Sequence, residues 1–172
     1  MSSILPPGYR LRLGSGLDRA VLLKFLQRTY SEMAAAEDYT HLAATVDQYL
    51  SRETPLWFAE IDSPQERTSL SSPQRPDVIA CLWIGTAIDQ VQGDRHAHIF
   101  LLYVEPNHRR RGIARTLMQQ AETWARTRGD RQIGLQVFSS NQPALSLYQQ
   151  LGYETQSLWM VKPLSKKEGQ VG

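Results

Sequence analysis

An apolar strand, an amphipathic helix and a second strand follow one another in the middle of the chain. Residues 98–104 are almost continuously apolar, as in a strand covered on both faces. From Gly112 to about Arg128 apolar residues recur at helical spacing, and Gly129 marks the end of the helix. Residues 132–138 then alternate as a strand does. Because a strand–helix–strand crossover of this length favours parallel pairing, the unit predicts a sheet with a helix packed on one face.

The remaining elements complete a mixed α/β order. The 172 residues can form one compact core, so we expect a single domain over 1–164 and a polar tail over 165–172. Residues 63–76 are expected to form a mobile connection between strands. The patterns predict strands at 9–13, 56–61, 78–86 and around 158–161, helices at about 17–30 and 41–52, and a short helix after Asn141.

Composition restricts the classes of partner. The net charge of +2 arises from 19 basic and 17 acidic residues, far from the basic excess of a dedicated nucleic-acid-binding protein. No apolar stretch approaches the length of a membrane span, and the N-terminus lacks the pattern of a signal peptide. The single cysteine, Cys81, lies in an apolar run and fits a reducing compartment. We therefore expect a cytoplasmic protein that binds neither nucleic acid nor membrane.

The turn between the buried strand and the central helix carries the most informative residues. The first backbone N–H groups of a helix lack partners within it, and the helix dipole favours an anion at this end. Gly112 and Ala114 leave no bulk between a phosphate and the main chain. Arg109, Arg110 and Arg111 add positive charge with a geometry suited to phosphate. These residues predict a pyrophosphate site.

Two alternatives to a pyrophosphate site remain open for the arginine run at this point. One is an exposed basic turn without a ligand, since runs of charge are commonly solvated. The second is a nucleic-acid patch, which would need interleaved aromatic residues or a broader basic stripe. The helix that follows is instead mixed in charge, which argues against the nucleic-acid patch.

Two motifs in this half of the chain resemble those of the GNAT acetyltransferase superfamily. The first is Arg109-x-x-Gly112-x-Ala114 after a strand that ends in Val104-x-Pro106. The second runs from Asn141 to Tyr153 and contains an alanine, a tyrosine and a closing Gly-Tyr pair. The order of elements from residue 9 to 161 also matches. The resemblance implies the GNAT fold, a mixed twisted sheet of about six to seven strands with about four helices, splayed between the strands near 98–104 and 132–138.

The resemblance also implies a reaction, the direct transfer of the acetyl group of acetyl-CoA to an amine without a metal. The pantetheine arm would lie in the splay and bond to backbone groups of Leu102, Tyr103 and Val104. The second motif would contribute Asn141 and Ala144 to the same site. The residues expected around the pyrophosphate are Arg109, Arg110, Arg111, Gly112, Ile113, Ala114 and Arg115.

Candidates for proton transfer follow from the same resemblance. Tyr148 resembles the family tyrosine that protonates the CoA thiolate, although its helical face would also suit a core residue. Asn141 would suit a helix cap as well as a ligand contact.

The general base is less well defined. Where family members often carry a glutamate, this chain has His96 and His98, which alternation places on one face of a strand. A polar strand edge is the alternative for both histidines, and Glu60 and Glu105 also remain open as bases. No third metal ligand lies in register with the histidines, so we do not expect a zinc site.

The acceptor is expected near the first two helices and the ends of the last strands. An acidic and aromatic lining would suit a cationic amine, and peptide N-termini, lysine side chains, polyamines and aminoglycosides all remain open. A non-catalytic acyl-CoA sensor or interaction module of the same fold is the alternative function. Exposed sheet edges and several tryptophans favour a homodimer. The residues expected in the acceptor lining are Glu32, Glu37, Asp38, Tyr39, His41, Trp57 and Trp83.

Overall fold

The computed structural model describes residues 4–33, 38–62 and 77–164. The predicted connection at 63–76 and the tail at 165–172 lie outside these ranges. Two short 3-10 turns, Gly16–Asp18 and Pro106–His108, interrupt the loops. The elements are β1 (Tyr9–Leu13), α1 (Arg19–Met33), α2 (Thr40–Tyr49), β2 (Leu56–Ile61), β3 (Val78–Ile88), β4 (Arg95–Val104), α3 (Ile113–Arg128), β5 (Ile133–Leu135) and α4 (Gln142–Gln150).

The strands form one sheet in the order β1-β2-β3-β4-β5. The first four strands pair antiparallel, and β4 pairs parallel with β5. The parallel pairing predicted for the crossover is therefore confirmed, and the sheet is mixed. The helix α3 packs on one face, where Leu117, Met118 and Ala121 are buried. The helices α1 and α2 cover the other face with Leu22, Phe25 and other apolar residues.

A bulge in β4 changes which side chains face each layer. Trp83 pairs with Leu101 while the next residue of β3 pairs with Ile99, so Phe100 is an extra residue. Ile99 belongs to the core under α3, whereas Phe100 and Leu101 both pack toward α1 and α2. An extra residue of this kind bends its strand and increases the local twist.

The pairing of β4 with β5 ends beside this bulge. It comprises only Ala97 with Ile133, His98 with Gly134 and Ile99 with Leu135. Beyond these pairs β4 continues to Val104 along β3, while β5 has already ended. The two strands therefore diverge where the splay was predicted between 98–104 and 132–138.

One predicted strand is wrong. Residues 158–161 lie in the described part of the chain but belong to no strand, and their side chains are between 77% and 88% exposed. The described residues thus form five strands, fewer than the six to seven that the resemblance implied. An apolar run is only a strand where a neighbour accepts its hydrogen bonds, and β5, with three residues, presents a very short edge.

Phe100 can lie flat on the sheet only because residue 85 is glycine. A Cβ at Gly85 would clash with the Phe100 ring. We expect Gly85→Ala to lower the free energy of unfolding by about 1–3 kcal/mol, because the ring must be displaced. Urea denaturation measures the change. The control is Gly16→Ala, where a Cβ meets nothing within 4 Å; equal stability of both variants would contradict this packing.

Candidate active site

The turn between β4 and α3 presents a cluster of free backbone donors. Arg110 and Gly112 adopt left-handed conformations, with φ of 63° and 84°. The first hydrogen bond of α3 runs from the Thr116 N–H to the Gly112 carbonyl at 3.0 Å. Within the described ranges, the N–H groups of residues 110–115 find no hydrogen-bond acceptor. Left-handed residues in such a turn curl successive N–H groups into a concavity that binds anions.

Three arginines around this concavity are held by protein groups. Arg109 donates from Nε to the Val104 carbonyl at 2.8 Å and from Nη2 to Glu32. Arg111 donates to the Tyr9 hydroxyl and to a backbone carbonyl, both at 3.1 Å. Arg115 donates to Gln150 on α4 at 2.9 Å. Their direct contact with a phosphate stays a prediction.

The arginine at position 110 differs from these three. Its side chain is exposed and bonds to none of the residues that the structure describes. Its left-handed backbone is unusual for a residue with a side chain, because such a conformation costs about 1–2 kcal/mol. Strain of this kind is found at functional turns, which supports a ligand role for the turn itself.

The residues of both motifs converge on the α3 face of the sheet. Leu102 from β4, Ala114 from α3 and Tyr148 from α4 all pack against the core under α3. Tyr103 points to the opposite layer, where it is buried beside Phe25 with ring centroids 5.4 Å apart. Leu102 of β4 and Tyr148 of α4 thus lie on the same side of the sheet.

The two histidines lie on one face of β4, as alternation predicted. Their ring centroids are 6.5 Å apart, and the His98 ring is 5.9 Å from Phe100. A Cβ at Gly134 of β5 would lie 3.5 Å from both imidazoles, so glycine leaves space beside them. Burial lowers the pKa of His98, and the neighbouring His96 lowers it further. His98 is therefore neutral at neutral pH and can accept a proton.

Tyr148 is a partly buried phenol on α4. Its ring packs against Tyr153 with centroids 5.8 Å apart. Burial raises the pKa of Tyr148 to about 12, so the hydroxyl stays protonated and can donate a hydrogen bond. At the start of the same helix, Asn141 caps α4 by accepting the Ala144 N–H at 3.3 Å, which confirms the capping role that its sequence position suggested.

The acetyltransferase (GNAT) family model matches residues 23–153 of the chain. The chain belongs to this family. An uncharacterised N-acetyltransferase of Bacillus subtilis, YycN, is 30% identical over 119 residues, which cover 68% of this chain and 75% of that protein. The rat N-acetyltransferase 8F1 is 27% identical over 135 residues, which cover 78% of this chain and 55% of that protein.

Solved structures share the fold. A predicted acetyltransferase of Clostridium acetobutylicum, crystallised with acetyl-CoA, has a TM-score of 0.70 at 18% identity, and the match covers 91% of this chain and 96% of that chain. An aminoglycoside acetyltransferase from a soil metagenome, crystallised with sisomicin, has a TM-score of 0.67 at 12% identity and covers 92% and 97%. This chain is an acetyl-CoA-dependent GNAT N-acetyltransferase.

The two carboxylates considered as bases in this GNAT enzyme are engaged by arginines. Glu60 is 1% exposed on β2 and contacts Arg10 at 3.0 Å and Arg12 as well. Glu105 contacts Arg28. Glu60 therefore is the buried centre of an ion-pair network with two partly exposed arginines.

The predicted acceptor lining is only partly assembled. Trp57 was expected there, but it packs against Trp124 of α3 with centroids 6.4 Å apart, on the opposite face of the sheet. The expectation for Trp57 is wrong because side chains alternate between the two faces of a strand, and its position in β2 directs it to the α3 face. Trp83 lies on the α1–α2 face but is 1% exposed, and Glu32 is occupied by Arg109. Glu37 lies outside the described residues.

Other aromatic residues border the α1–α2 face. Tyr49 of α2 packs on Phe100 with centroids 5.6 Å apart, and Tyr30 packs on His41 at 6.4 Å. The sequence analysis did not predict this contact, because helical spacing places Tyr49 in the core, whereas it is 44% exposed, and nothing in the sequence reveals the bulge. The bulge depends on the register of β4 with β3, which no local pattern contains.

The described ranges contain neither a metal-binding cluster nor a membrane-spanning helix. No group of three or more histidine, cysteine, aspartate or glutamate side chains is arranged there to hold a metal ion. None of the helices in those ranges is both long and apolar enough to cross a membrane.

The network around Glu60 generates a stability prediction. We expect Glu60→Gln to lower the free energy of unfolding by about 1–3 kcal/mol, because two arginines lose their charged partner. Urea denaturation measures the loss, and exposed Glu154→Gln serves as the control. Acetyl-CoA affinity of the folded variant should match the parent; a large loss of affinity without a loss of stability would show that Glu60 acts in the site.

Proposed function

We propose that acetyl-CoA lies across the divergence of β4 and β5, with its pyrophosphate on the backbone amides of residues 110–115. One observation carries this placement: the free donors at the turn stand at the same end of β4 as the opening of the sheet. The start of α3 supplies these donors from the backbone, so an anion can bind there without any rearrangement of side chains. The backbone of Leu102, Tyr103 and Val104 would border the pantetheine arm, with Asn141 and Ala144 opposite.

His98 would prepare the acceptor amine. A protonated amine cannot attack a thioester, so a neutral imidazole that takes the proton, directly or through water, assists the reaction. The lowered pKa of His98 keeps it in this neutral form at neutral pH. His96, beside it in the same row, would extend the path for the proton.

Tyr148 would serve the leaving group. Attack of the amine on the carbonyl carbon forms the amide bond and breaks the carbon–sulfur bond, and the electron pair leaves with the sulfur. The Tyr148 hydroxyl stays protonated because burial raises its pKa to about 12. It can therefore donate a hydrogen bond to the developing thiolate and deliver a proton as the sulfur departs.

The acceptor is a primary amine of open identity. Structural neighbours include aminoglycoside acetyltransferases and a ribosomal-protein-alanine N-acetyltransferase. The carboxylates Glu32 and Glu105 are both paired with arginines.

We propose a cytoplasmic enzyme, as buried Cys81 suggests, and a homodimer as its assembly.

Binding tests the placement of the cofactor. Isothermal titration of the protein with acetyl-CoA, and with acetate as a negative control, should show saturable binding. We expect Gly112→Glu to weaken binding by more than about 10-fold, because a carboxylate then occupies the anion concavity. Gly112→Ala is the matched variant, since it strains the same left-handed position without charge. Equal affinity of Gly112→Glu and Gly112→Ala would contradict the pyrophosphate placement.

Kinetics test Tyr148. Thiol release is first screened against alanine-terminated peptides, lysine, polyamines and aminoglycosides to find an acceptor. With that acceptor, Tyr148→Phe should lower kcat by roughly 10²-fold while acetyl-CoA affinity is kept, because only the proton donor is lost. Turnover of Tyr148→Phe at the parent rate would remove Tyr148 from the mechanism.

The pH dependence tests His98. Its pKa lies below the ordinary value of about 6.5, so kcat/KM should rise through an acidic limb below pH 6.5 and reach a plateau where His98 is neutral. The acceptor amine adds a separate limb at higher pH. His98→Gln should abolish the acidic limb and lower the plateau; a profile that keeps this limb in the variant would assign it to another group.

A further inference from the structure

Two ion pairs join α1 to the turn that carries the free amides. Arg28 contacts the carboxylate of Glu105. Glu32, four residues later, accepts two hydrogen bonds from Arg109 at 2.9 and 2.8 Å. Residues four apart in a helix share a face, and Glu105 and Arg109 flank the short 3-10 turn Pro106–His108. The helix therefore contacts both ends of this turn, and we refer to the four side chains as the clamp.

Further contacts fix Arg109, one of the two arginines of the clamp. The Arg109 guanidinium lies over the Tyr103 ring, 5.5 Å from its centroid, and donates from Nε to the Val104 carbonyl. The Tyr103 hydroxyl donates to Glu32 at 2.8 Å. Glu32 thus accepts hydrogen bonds from β4 and from the turn, so it links α1 to both. The Arg109 side chain is directed to these protein groups.

The order of charges selects one position of the turn along α1. On the helix a basic residue precedes an acidic one, and on the turn an acidic residue precedes a basic one. A shift by one helical turn would bring Glu32 opposite Glu105, with like charges together. Glu32 also lies in the last turn of α1, where the helix dipole disfavours a carboxylate, and Arg109 offsets this.

The clamp is better suited to positioning than to stabilisation. The Arg109 and Glu32 side chains are 42% and 35% exposed, and exposed ion pairs contribute about 0–1 kcal/mol to folding. The 3-10 turn that it holds, however, leads through Arg109 directly into the strained Arg110 and the left-handed Gly112. A small bias between conformations of such a turn is enough to change the arrangement of its amides.

We propose that Arg28 and Glu32 are positioning residues for acetyl-CoA, which hold Glu105 and Arg109 so that the amides of the turn are arranged to receive the pyrophosphate. The inference rests on the proposed function, because it requires the pyrophosphate at this turn. Arg109 then acts through the turn conformation, and α1 contributes to a cofactor site that it does not line.

Charge reversal within the ion pair of Arg28 and Glu105 tests the clamp. We expect Arg28→Glu and Glu105→Arg each to weaken CoA binding about fivefold in isothermal titration, because like charges push the turn from α1. The double variant restores the attraction and should bind CoA within about twofold of the parent. Affinity for S-acetylpantetheine, which lacks the pyrophosphate, should stay within about twofold throughout.

A matched control lies on the same helix. Arg19 of α1 pairs with Asp47 of α2 at 2.5 and 2.8 Å, and both side chains are exposed. Asp47→Asn breaks a more exposed ion pair of the same helix that does not touch the turn, so CoA affinity should remain at the parent value. If the reversed variants do not fold, Arg28→Gln and Glu105→Gln carry the test, and the second change should then add no further loss.

The outcomes separate the clamp from the proposed function. Single reversals that bind CoA like the parent, a double variant that does not recover, or equal losses for CoA and S-acetylpantetheine would each overturn the clamp. If Gly112→Glu loses CoA affinity while the reversals keep it, only the clamp is wrong. If Gly112→Glu also keeps full affinity, the pyrophosphate lies elsewhere and both proposals are wrong.

Discussion

Parallel pairing between β4 and β5 lasts for three residues, and the geometry of the site depends on where it stops. The extra residue Phe100 bends β4 directly after the last pair, at Ile99. Beyond that point β4 follows β3 alone and leads into the turn before α3. The opening in the sheet, the free amides and the row of histidines are therefore arranged along a single strand, which fixes their relative positions.

The backbone and the arginine side chains of the turn before α3 face in different directions. Backbone N–H groups, aligned by left-handed residues and the start of α3, face outward and are suited to an anion. The arginine side chains mostly face the protein, since Arg109, Arg111 and Arg115 all have protein partners. A basic run in a sequence can thus mark a turn with free amides even though its side chains are largely engaged by the protein. The affinity would come from the main chain.

Much of the fold could be predicted from the sequence. Helical spacing in α3, alternation in β1 and the apolar run of β4 predicted correct elements, because each pattern reports burial on a known face. The face shared by His96 and His98 follows from the same rule. The strand predicted at 158–161 is wrong because the apolar character of a segment does not say which strand will pair with it. The bulge at Phe100 and the partners of Arg28, Glu32 and Glu60 depend on contacts between distant parts of the chain, which no local pattern records.

The bulge has a further implication for how such a site can arise. Ile99 faces α3 and Leu101 faces α1, so these two residues would alternate correctly if they were adjacent. Removal of Phe100 would therefore leave every other side chain in this part of β4 on its present face. A chain without it would keep both core layers and could continue pairing with its neighbour along a flatter sheet. The end of the β4–β5 pairing can be regarded as the consequence of a single-residue insertion into an otherwise regular strand, which could be gained or lost in one step without redesign of either core.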